Sequence, residues 1–218
     1  NLVVADGGAV SVPGSITHLE LWAPAGTITQ TANNPVTLTN GERTGLAYSG
    51  DLVLAAGGAI TLDAANNVIT GGTNGVAVAI IGGEFTLNTT GALKLGNIAA
   101  GSQYVTLSAG GAVTQAASTG ITTASMDVTS TGGITLSNAG NHIAEMSADT
   151  PTTFTFTNAD AILATYQAPS ATLNSPSSIT VIQPGNFTLN ASQNYYAGTD
   201  ILVSALGDLT FASASGLH

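Results

Sequence analysis

The chain has 218 residues, with 12 Asp and Glu against 2 Lys and Arg, and a formal net charge of -10. Two basic side chains cannot neutralise a phosphate backbone, so nucleic-acid binding is excluded. Charged residues make up 6% of the chain and hydrophobic ones 44%, which excludes an acidic disordered tail, because such tails have too little apolar surface to bury.

The solubilising surface must therefore come from Thr, Ser, Asn and Gly, as in β-rich extracellular proteins. The longest uninterrupted apolar run, Val76–Ile81, is far shorter than the roughly 20 residues of a membrane-spanning helix, so the chain is not expected to cross a bilayer. There is no cysteine, so stability has to come from packing and repetition rather than disulfides. The chain opens at Asn1 in mid-pattern and without a signal peptide. A single β-helix segment over residues 1–218, a fragment of a larger surface protein, is the expectation.

In chain order, a short alternation at Val10 is followed by PAGTITQTANN (24–34), GDLVLAAGGAITLDAANN (50–67) and GGEFTLNTTGALKL (82–95). QYVTLSAGGAVTQAAST (103–119), MDVTSTGGITLSNAGN (126–141), GNFTLNAS (185–192) and GDLTFASA (207–214) continue the series. The shared kernel is a glycine turn followed by an apolar residue, Thr and usually another apolar residue. The first apolar positions are Val10, Ile28, Ile60, Phe85, Val113, Ile134, Phe187 and Leu209, with one further coil around Phe154. Their mean spacing predicts about nine coils of roughly 25 residues, the scale of a solenoid repeat.

Inside a coil, strands recur at Leu52, Ile60, Val68 and Val76, giving three sides per turn. Within each strand the period is two, one face inward and one in water. Only residues 159–167 could form a short helix, limited by Pro169. The GG pairs at 57–58, 71–72, 82–83, 110–111 and 132–133 predict corners with positive φ. Corner asparagines Asn66, Asn67, Asn138 and Asn141 tolerate the left-handed conformation and could stack in a ladder. An antiparallel sandwich also shows short alternating strands, but it has no reason to repeat an 18-residue sequence. The fold class expected is all-β, a right-handed parallel β-helix (β-solenoid).

The kernel GGAITLDAANNVITGG (57–72) resembles the repeats of filamentous haemagglutinin-like exoproteins, and NHIAEMSADTPTTFTFTNADAI (141–162) is similar to a block common in the same adhesins. The resemblance implies two-partner secretion through an outer-membrane transporter, a place on the bacterial surface, and a role in adhesion, biofilm or fibre building. A stalk segment is the first expectation, with a surface receptor or glycan as partner. The alternative is a structural fibre whose subunits join end to end with copies of themselves.

Catalysis is not expected. A polysaccharide lyase needs a base and cations, and only Arg43 and Lys94 are available. A glycoside hydrolase needs two carboxylates about 5 to 9.5 Å apart, whereas Asp51, Asp63, Glu84, Asp127, Glu145, Asp149, Asp160, Asp200 and Asp208 are scattered singly. His18, His142 and His218 show no metal spacing, so no metal or cofactor is expected. Thr-x-Thr, the pattern of ice-binding solenoids, occurs at Thr27/Thr29, Thr37/Thr39 and Thr153/Thr155/Thr157 but not once per kernel. Candidate contact residues for a glycan or receptor are Trp22, Tyr48, Tyr166, Tyr195 and Tyr196, with corner packing or capping as the competing role.

Overall fold

The computed structural model describes residues 2–5, 10–12, 19–30, 36–38, 52–72, 74–168, 170–175, 177–183, 185–189, 192–211 and 216–217. Among them are 25 strands and no helix, and the strands pair in parallel with a strand from a neighbouring turn. This is a parallel β-solenoid.

One ladder runs almost the length of the molecule. Val10, Ile28, Ile60, Phe85, Val105, Met126, Met146, Ala164, Val181 and Val203 are successive register partners. A second ladder carries Leu93, Val113, Ile134, Phe154, Ala171 and Gln193. The third side includes Leu2–Ala5, Leu19–Ala23, Leu52–Ala56 and Val76–Ile81, with Leu2, Leu19, Leu52 and Val76 as successive register partners. Strand neighbours lie about 4.8 Å apart, so each inward position forms an apolar file along the axis.

The turns are shorter than kernel spacing suggests. Phe85 to Val105 is a step of 20 residues and Ala164 to Val181 one of 17, while Ile28 to Ile60 takes 32. Phe85 and Val113, neighbours in the kernel series, stand on different ladders, because Phe85 pairs with Val105 and Val113 with Leu93. Their separation therefore spans a full turn plus one side, which inflates the average.

The alternation is observed in the central kernels, whereas Leu52–Ala56 is buried on both faces and Phe211, in the last kernel, is 59% exposed. Ile60, Leu62, Ile134, Leu136, Phe154 and Phe156 are fully buried, while Thr135 is exposed. Residues 159–167 are not helical: Ile162–Gln167 is a strand. Its inward residues Ile162, Ala164 and Tyr166 obey period two, and tertiary pairing with His142–Asp149 overrides local helix propensity.

The glycine corners work differently from the expectation. Of the GG pairs, only Gly71 and Gly72 have positive φ among the described residues. At Gly57, Gly82, Gly110 and Gly132 the requirement is room between stacked corners; a Cβ on Gly82 would overlap the carbonyl of Gly57 one turn away. The corner asparagines are not left-handed either, Ser118 being the non-glycine residue with positive φ among the described residues. Asn67 and Asn141 are instead fully buried and close the corners through their side chains.

Candidate functional site

Two amide bridges of the same design hold two separate turns. Gln30 Nε2 donates to Asn67 Oδ1 at 2.5 Å and Asn67 Nδ2 donates back to Gln30 Oε1 at 2.9 Å. Gln115 and Asn141 repeat this, at 2.7 and 3.1 Å. In each pair the asparagine also binds backbone: Asn67 Oδ1 accepts from Val36 N, and Asn141 Oδ1 from Ile121 N. The sequence behind both is an apolar–Thr–Gln strand end, followed one turn later by Ile-Thr-Leu and an Asn five residues beyond the Leu. Three of these four amides are buried and Gln115 is half-buried, and the reciprocal bonds pair them, so these groups are structural.

The outward side carries hydroxyls. Thr29, Thr61, Thr86 and Thr106 form one file on the first ladder. Thr114, Thr135, Thr155 and Thr172 form another on the second. Kernels with a single Thr thus still give continuous files, one residue wide. Asp127, Glu145 and Asp149 stand exposed on the first ladder, and His142 Nδ1 meets Asp160 Oδ2 at 2.7 Å. Among the described residues no three His, Asp or Glu side chains group to hold a metal.

The five aromatic candidates do not form one surface. Trp22 is half-buried on Leu19–Ala23, and Tyr48 lies outside the described residues. Tyr196 is exposed (42%) on the outward file Thr157–Asn174–Tyr196. Tyr166 and Tyr195 are core residues, contrary to the surface expectation, because both occupy inward positions of their strands. Their hydroxyls hydrogen-bond to each other. Burial pushes the Tyr195 phenol up to about 12. It raises Tyr166 further, reinforced by the Tyr195 charge and by the shared hydrogen bond. The pair is therefore neutral in neutral solution.

Tyr166 also forms one wall of a cleft of about 410 Å³ with Gln167, Ala168, Gln183, Gly185, Asn186 and Phe187. The Phe187 ring stands edge-on to Tyr166 at 6.0 Å and 88°. Gln183 is the unusual residue. It continues the inward series Ile179, Val181, yet it is an amide, 5% exposed, and its Nε2 has no hydrogen-bond partner. Sequence reading missed it, although the polar residue at an inward position of ITVIQ was a legible signal. It missed Tyr104 as well, 55% exposed at the start of Tyr104–Ala109.

The outcome of comparison with known families fits this repetition. A family of repeats of unknown function, DUF5649, matches residues 1–74 and 82–150. The chain belongs to this family. Each matched DUF5649 segment contains one complete Gln–Asn bridge, Gln30–Asn67 in the first and Gln115–Asn141 in the second. The bridge is thus a structural element present in both. No curated protein matches, and no solved structure matches.

Proposed function

We propose that this DUF5649 chain is a structural and adhesive segment of a secreted bacterial surface exoprotein, the stalk that carries a binding region away from the cell. The observation that carries the reading is the single unbroken ladder from Val10 to Val203, in which each turn rests only on its neighbours. Such a body can be lengthened by adding turns without rebuilding the core. Its outward threonine files and 6% charged residues support an extracellular setting, where neutral hydroxyls rather than lysines and glutamates meet water. The reading assigns no catalysis to the chain.

The test is immunogold labelling of intact source cells with antibody raised against the 218 residues. Gold is expected on the outer surface of unpermeabilised cells. Label that enters only after permeabilisation overturns the proposal. The fibre alternative predicts ordered filaments of purified chain by electron microscopy, with strands stacked along the filament at about 4.8 Å.

A further inference from the structure

We draw no further inference here: the strongest candidate, the outward apolar patch of Ile182, Leu202 and Leu206 on the paired strands Ile179–Gln183 and Ile201–Ala205 and the bend after them, carries nothing because nothing in the structure shows what covers it.

Discussion

Tyr166 and Tyr195 show how one hydrogen bond lets two polar groups enter an apolar file. Each phenol is the other's partner, so losing one strands the other. Tyr195→Phe should cost about 1–3 kcal/mol in chemical denaturation, because the Tyr166 hydroxyl is left buried and unpaired. The double change to Phe should recover most of that loss, since both polar atoms go together. An equal or larger loss in the double variant would contradict this account. The pair also sets a pH dependence. Unfolded phenols ionise near 10, while Tyr195 in the fold is pushed up to about 12 and Tyr166 higher. The stabilising term is fully present below about pH 10 and is lost as pH rises from there, because the unfolded chain releases protons that the folded one retains. Melting temperature measured against pH should stay level through 9 and fall between 10 and 12, with a shallower fall in the double Phe variant. Gln183 is the complementary case at this scale, an inward amide whose donor has no partner.

At the scale of the strand, burial alternates, and a substitution should be judged by parity rather than by kernel membership. Thr135 and Leu136 are adjacent in Ile134–Leu136, one exposed and one fully buried. Leu136→Asp places a charge among the inward residues and should cost more than about 3 kcal/mol. Thr135→Asp faces water and should stay within about 1 kcal/mol. Equal losses in urea titration would mean that the strand faces are reversed. Much of this was legible in the sequence: the inward parity of Ile60, Leu62, Ile134, Leu136, Phe154 and Phe156 follows from alternation alone. The strand Ile162–Gln167 was less legible, because the segment 159–167 with its three alanines suits a helix in isolation, and pairing with His142–Asp149 and Ile179–Gln183 selects the extended form. Likewise the role of Gly82 could not be read locally, since the atom it must avoid belongs to Gly57 on another turn.

Over the whole molecule, stability should be graded rather than uniform. Each turn touches only its neighbours, so cooperative opening starts at the ends and moves inward. Hydrogen exchange should therefore be slowest in Tyr104–Ala109, Ile121–Ser130 and His142–Asp149 and faster in Ile201–Ala205, whose inward residues are only half-buried. Uniform protection from Leu52–Ala56 to Ile201–Ala205 would point instead to a single globular unit. The sequence by itself determined the solenoid class, the inward residues of the central kernels and the neutral hydroxyl surface. Repeated kernels, period-two alternation and 6% charge are properties of the linear chain, and together they select stacked coils over a sandwich. Only the tertiary structure decided the length of each turn, the partners of Phe85 and Val113, the Gln–Asn bridges and the burial of Tyr166 and Tyr195. All four depend on which residues the winding brings side by side. Ile28 and Ile60 are register partners across 32 residues and Ala164 and Val181 across 17, so sequence spacing does not fix which residues become neighbours.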